Sequence, residues 1–298
     1  MPEDMPPLDS FDDATRELVA ALRSDDPAVR EHALEEIAPV VDDGLARELL
    51  RFARDPERGE EERGQALIAL GPALEECRDE EGPDGSLESP PGGTEGWWEL
   101  PLSSAGYREV TEDLRRIYHD GSLPKLVRRR AVEAAVRAPR DWHREAAAAA
   151  WRSDDPEWRL TAAFLMGHLP GFQDEILAAF RGRDPVIRRE AMRAAGRSAT
   201  GEVLAADLLA IAADRSADRD DRLAAIAALA DHQPDEAAGV LDRLVDDPDP
   251  EVAAAAREAL EEADLWAGLG DDDLEDPDDI GFDVDDLAEL DGRGEEDW

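Results

Sequence analysis

A short word recurs along this chain, and its recurrence limits the fold more than any other property. The clearest copy is Asp184-Pro185-Val186-Ile187-Arg188-Arg189-Glu190-Ala191-Met192-Arg193-Ala194-Ala195-Gly196. Related words occupy 26–37, 155–167 and 249–260, with weaker copies at 59–71, 124–135 and 218–229. Aligned on a central small residue, they fall at Ala33, Ala66, Ala131, Ala162, Ala191, Ala225 and Ala256, with spacings of 33, 65, 31, 29, 34 and 31 residues. A repeated period of about 20 to 50 residues marks an array of stacked supersecondary units. The double-length gap is one unit carrying an insertion.

Each word reads as the start of a helix. Asp26, Asp155, Asp184, Asp218 and Asp249 stand four residues before the Arg position, where a carboxylate can accept from free backbone N–H groups. Pro27, Pro156, Pro185 and Pro250 follow at the first helical position, where a missing N–H costs nothing. Apolar residues then recur at helical spacing, as in Val29, Ala33 and Ile37, or Ile187, Ala191 and Ala195. The small central residue lets a neighbouring helix come close. First helices are expected at 11–22, 44–53, 107–118, 141–152, 172–180, 202–213 and 234–245, giving 14 helices in seven pairs. No alternating run rich in Val, Ile or Thr competes, so strand is not expected.

The word Asp-Pro-x-Val-Arg-x-x-Ala resembles the HEAT repeat, in particular the phycobilisome-lyase-type HEAT-like branch, over residues 10–264. The resemblance implies an all-α fold, a right-handed α-solenoid of about seven helical hairpins. It also implies an internal ladder of Asp and Arg from successive repeats, here Asp26/Arg30, Asp155/Arg159, Asp184/Arg188 and Asp218/Arg222. The pattern departs at Gly59, which goes with Arg63, and at Pro124, which goes with Arg128. At Ala253 the Arg is lost, as suits a terminal capping repeat.

Composition places such an array in salty water. The 298 residues hold 75 acids against 33 bases, a net charge of −42, and Lys125 is the single lysine. Acid-rich, lysine-poor surfaces resemble those of salt-in halophiles such as haloarchaea, where high net charge keeps a protein soluble and salt screens its self-repulsion. No apolar run approaches the length of a membrane span. The opening Met-Pro-Glu-Asp-Met-Pro-Pro lacks the features of a signal peptide, and the expected location is cytoplasmic. Cys77 alone permits neither an internal disulfide nor a cysteine-based metal site.

Three segments break the period. Residues 1–9 read as a flexible N-terminal arm. Residues 78–105 are rich in Gly, Pro and acid and read as a disordered insertion, ending at Trp97 and Trp98. Those two are candidate partner anchors or a flap folded back between the second and third repeats. Residues 265–298 read as an acidic disordered tail. Within it Ile280, Phe282, Val284, Leu287 and Leu290 alternate with carboxylates, a pattern that can dock as a short motif or simply solvate.

Charge also divides the repeats. Residues 108–197 hold 18 bases and 14 acids, while every other part of the chain is strongly acidic. Arg128 and Arg188 read as ladder residues. Arg129, Arg130, Arg189 and Arg193 are not demanded by the framework, so they are candidate binding residues, with Trp142 as a candidate surface anchor; Trp151 and Trp158 read as packing residues.

The sequence offers little chemistry. Its five histidines are dispersed, none is followed by Glu, and none pairs at the spacing of a zinc-binding helix. No catalytic, cofactor-binding or metal residue is assigned, and no cofactor is expected. The leading reading is a non-catalytic scaffold that binds a protein partner in its concave groove. One alternative is nucleic-acid or anion binding through the Arg-rich stripe, which molar salt disfavours because phosphate binding rests on counterion release. Another is a lyase-like protein that handles a cofactor. If the charge is an adaptation to salt, the urea midpoint rises from dilute buffer to molar potassium chloride; a midpoint indifferent to salt overturns that reading.

Overall fold

The computed structural model describes residues 7–8, 13–79, 87, 100–232 and 237–270, with the side chains at 13–14 and 264–270 excepted. Among these the secondary structure is helical, in fifteen α-helices and no β-strand. In chain order they are α1 (Asp13–Leu22), α2 (Pro27–Glu36), α3 (Asp43–Arg54), α4 (Glu60–Ile68), α5 (Gly71–Asp79), α6 (Ser104–His119), α7 (Lys125–Ala135) and α8 (Asp141–Trp151). There follow α9 (Pro156–Gly167), α10 (Gln173–Phe180), α11 (Pro185–Gly196), α12 (Thr200–Ala213), α13 (Arg219–His232), α14 (Ala237–Leu244) and α15 (Pro250–Gly270). None of the described helices is long and apolar enough to cross a membrane.

The helix beyond the expected fourteen is α5. Pro72 has no N–H to donate, and its ring collides with the carbonyl four residues earlier, so the helix begun at Glu60 stops at Ile68 and a new one starts at Gly71. The other helices lie within a few residues of the expected ranges. α6 begins three residues early because Ser103 caps it, its Oγ accepting from Gly106 N at 3.1 Å. The periodicity of the sequence closes at 264, whereas α15 continues to Gly270. Most of the proposed insertion, including Trp97 and Trp98, and the arm and tail motif lie outside the described residues.

The recurrent Asp behaves as a cap. Asp26 accepts from Ala28 N, Asp155 from Glu157 N and Asp249 from Glu251 N, each at 3.0 Å, and Asp184 from both Val186 N and Ile187 N. The recurrent Arg pairs with an acid of the next hairpin at Arg30 (Glu62), Arg188 (Asp221) and Arg222 (Asp247), and at several copies it has a second task. Arg63, Arg128 and Arg222 each turn Nε onto a carbonyl in the last turn of the preceding helix: Ala53 at 2.7 Å, Tyr118 at 2.9 Å and Ala212 at 3.1 Å. A cation there satisfies a carbonyl that has no intrahelical donor and opposes the negative end of the helix dipole. At these three positions the Arg therefore staples the two helices of its own hairpin. Arg30 instead donates through Nη1 to Ser24 O, in the turn after α1, at 3.0 Å.

Successive helices pair: α1 with α2, α3 with α4, α6 with α7, α8 with α9, α10 with α11, α12 with α13 and α14 with α15. Their second members touch in the order α2, α4, α7, α9, α11, α13, α15. The aligned alanines sit at these contacts, and none of Ala33, Ala66, Ala131, Ala162, Ala191, Ala225 or Ala256 is more than 2 % exposed. Where the word ends in glycine, backbones come closer still. A Cβ on Gly167 would stand 2.9 Å from Ala194 Cα, and one on Gly196 would stand 2.6 Å from Ala228 O. Both contacts join the last residue of one word to the alanine two positions earlier in the next, so the second helices run parallel with the same small offset at each step. Two buried clusters result, one over 19–138 and one over 132–259, with Tyr118 and Trp142 packed against both.

Ion pairs join the hairpins to one another, and their cations are mostly not the word's first Arg. Lys125 and Arg129 of α7 reach Glu157 of α9 at 2.6 and 3.2 Å. Arg189 of α11 holds Asp218, Asp220 and Asp221 of α13, the last also bound by Arg188. Arg219 of α13 reaches Glu251 of α15 at 3.0 Å, and Arg30 of α2 reaches Glu62 of α4 at 2.7 Å. Arg47 and Arg54 of α3 hold Glu109 and Asp113 of α6. Only the junction between α8/α9 and α10/α11 has no such pair among the described residues. Gly196→Ala should cost about 1–3 kcal/mol of stability, because the Ala228 backbone must give way; chemical denaturation measures it.

Candidate functional site

Positions spaced four apart lie on one face of a helix, and the register of the second helices sets these faces side by side. On α7 and its exit the stripe is Arg129, Glu133 and Arg137; on α9 it is Leu160, Phe164 and His168. On α11 it is Arg189, Arg193 and Arg197, and on α13 it is Leu223, Ala227 and Asp231. An apolar rib thus runs between two arginine-bearing ribs, and it stands at the junction that has no ion pair among the described residues.

Phe164 is the centre of this face. The Arg137 guanidinium lies 6.0 Å and that of Arg197 5.5 Å from its ring centroid, with the His168 ring at 5.0 Å. Such contacts are worth about 0.5–2 kcal/mol each, according to how well water is excluded. The outer edges of both arginines are anchored: Arg137 Nη1 donates to Glu75 at 2.5 Å, and Arg197 Nη2 to Glu190 at 3.2 Å. Arg193 shares Glu190 at 3.4 Å, and Arg130 donates to Glu133 at 2.8 Å. Two clefts flank Phe164. One of about 250 Å³ is lined by Ile68, Arg130, Arg137, Leu160 and Phe164; the other, of about 630 Å³, by Glu75, Arg78, His168, Phe172, Arg197 and Asp231.

The electrostatics of the face follow from burial. Desolvation, then the charges of Arg197, Arg137 and Arg78, push the His168 pKa down to about 3, so His168 is neutral. Its Nε2 is buried with no hydrogen-bond partner. Burial raises the carboxyl of Glu190 above the usual range, against the pull of Arg197 and Arg193. Burial likewise raises Asp231.

The residues singled out from the sequence are placed unequally. Arg129 is buried, its Nε on Thr161 Oγ1 at 2.9 Å and its Nη1 on Glu157, and Arg189 is held by three aspartates. Both clasp neighbouring hairpins. Arg130 and Arg193 remain accessible, with side chains 39 % and 42 % exposed. Trp142 is half-buried, its ring 3.8 Å from that of His143 and 5.4 Å from that of Tyr118. Trp151 and Trp158 are also half-buried against the core. Trp97, Trp98, Ile280, Phe282, Val284, Leu287 and Leu290 lie outside the described residues.

Phe164, His168, Arg137 and Arg197 were not among the residues picked from the sequence. Reading every aligned word at intervals of four would have exposed them. A separate cleft of about 670 Å³ lies beside Trp142 and His143. There His143 is a capping residue: Arg140 N donates to its Nδ1 at 2.8 Å, and burial lowers its pKa to about 4. Cys77 is buried against Leu102, and burial raises its thiol pKa to about 11. Among the described residues no group of three His, Cys, Asp or Glu converges to hold a metal ion. No protein-family model and no curated protein sequence matches this chain.

The buried histidines give stability a pH dependence of definite sign. Their folded pKa values, about 4 for His143 and about 3 for His168, lie below the ordinary 6.5, so the folded state binds fewer protons. Stability is full above 6.5 and falls as acid titrates down toward those values. Glu190 and Asp231, held up by burial, act in the opposite sense. His168→Gln should therefore flatten the urea midpoint between pH 6.5 and 4, in constant salt, relative to wild type, in which the same carboxylates titrate.

Proposed function

We propose that the chain is a right-handed α-solenoid of about seven HEAT-like hairpins, working in the cytoplasm of a salt-adapted cell as a non-catalytic scaffold. The second helices line its concave side, and a protein segment lies in that groove across α7, α9 and α11. The observation that carries this reading is the half-exposed Phe164 rib standing between two arginine ribs. Aromatic and arginine side chains dominate binding hot spots, because they combine large contact area with directed polar groups. An array of parallel helices presents such residues along a line, which suits an extended or helical segment.

A nucleic acid fits this face less well. Arg130, Arg137, Arg193 and Arg197 each hold a carboxylate of the chain, which lowers the positive potential that a run of phosphates would meet. The net charge of −42 opposes a polyanion, and molar salt removes the gain from counterion release. An apolar rib remains useful under the same conditions.

The test is a pull-down from native lysate in molar potassium chloride, followed by affinity measurement with the recovered protein. Phe164→Ser should weaken that affinity about tenfold or more while leaving the helical circular dichroism unchanged. Recovery of no partner by the wild type, or an affinity indifferent to Phe164→Ser, overturns the reading. Retention of nucleic acid on filters in molar salt, lost in Arg130→Glu/Arg193→Glu, would favour the polyanion instead.

A further inference from the structure

The Phe164 face and the last segment of the chain are complementary in two respects. The face offers an apolar rib with arginines on both sides. Residues 271–298 offer fifteen acids against Arg293, with Ile280, Phe282, Val284, Leu287 and Leu290 set among them. Charge alone would not join the two in molar salt, where screening acts over roughly 3 Å. The apolar residues in the segment supply what screening leaves intact.

Geometry allows the meeting. The ion pair Arg219–Glu251, near the starts of α13 and α15, makes these helices parallel, as α9, α11 and α13 are. The chain therefore leaves α15 at Gly270, past the edge that holds His168, Arg197 and Asp231, because α15 runs eight residues, about 12 Å, beyond the level position Glu262. From α15 to α9 are three helix-to-helix steps, α13 and α11 lying between, which span about 24–30 Å at ordinary packing distances. Ten residues separate Gly270 from Ile280, and an extended chain of that length reaches about 33–36 Å. Twelve residues separate Gly270 from Phe282, an extended reach of about 40–43 Å, enough to cover those steps together with a return of about 18 Å along the helix axis to the level of Phe164.

We propose that residues 280–290 of this chain dock on the Phe164 face. Phe282 and Leu287 cover Leu160 and Phe164, and the intervening carboxylates face Arg130, Arg137, Arg193 and Arg197. The inference rests on the reading of that face as a groove for a protein segment. It adds the identity of the resident occupant. A tethered segment acts at an effective concentration of about millimolar, so weak contacts suffice, and an outside partner must displace the segment.

The experiment uses the full chain with Arg193→p-benzoylphenylalanine, an accessible position beside the rib, irradiated in molar potassium chloride. Mass spectrometry of the monomer band should show an adduct between the probe and a peptide containing 280–290, with a yield independent of protein concentration. Phe282→Ser/Leu287→Ser leaves every described helix untouched and should lower that yield about tenfold. An adduct that joins two chains and grows with concentration assigns the face to a second copy and overturns the proposal. So does the absence of a tail adduct, or a yield indifferent to the double substitution. If the tail adduct fails while Phe164→Ser still weakens an outside partner, the groove reading stands and this occupant alone is lost. If both fail, both are overturned.

Discussion

Close approach of parallel helices through alanine and glycine is the constraint on which the rest of the molecule depends. Where Gly196 meets the Ala228 backbone, no side chain separates the two helices, so neither can slide without a clash. That contact fixes the register of one word against the next. Register in turn decides that Arg137, Phe164 and Arg197 become neighbours although they are widely separated in sequence. A large residue at the aligned alanines would push the ribs apart and leave Phe164 without its flanking guanidinium groups.

Much of the helical framework was legible because its signals are local. An Asp followed by Pro opens a helix whatever lies around it, and Asp26, Asp155, Asp184 and Asp249 all cap as their sequence position implies. The break before Pro72 is equally local, but it falls inside a word whose period continues across it. The arginines were harder to assign. In sequence, Arg188 and Arg189 differ only by one step in the word. In three dimensions Arg188 and Arg189 share Asp221, and the same one-step difference at Arg128 and Arg129 separates a carbonyl staple from a clasp to the next hairpin. Which acid a long cation reaches depends on the partner helix, and the word does not contain that information.

The candidate face was less legible for a related reason. Attention to charge picked out Arg129 and Arg189 as surplus, yet a surplus within one repeat can be a necessity between two. Phe164 gave no local signal, since a Phe on an amphipathic helix is ordinarily core. Its interest comes from the residues at the same word position in the flanking repeats, Glu133 and Arg193, and from the arginines one turn further on. Only a comparison across repeats, at fixed intervals of four, turns those scattered residues into a surface.

Among the described residues, every junction between successive hairpins is tied by an ion pair except the one between α8/α9 and α10/α11, which is joined through Gly167, Ala194, apolar packing and the Arg197–Phe164 contact. An array loaded at its ends deforms first where its joints are least braced. Here that joint lies beneath Phe164, at the face proposed to hold a ligand. If the proposed groove holds a ligand there, grip and curvature become one mechanical coordinate, since a straighter array would spread the two arginine ribs and a tighter one would close them.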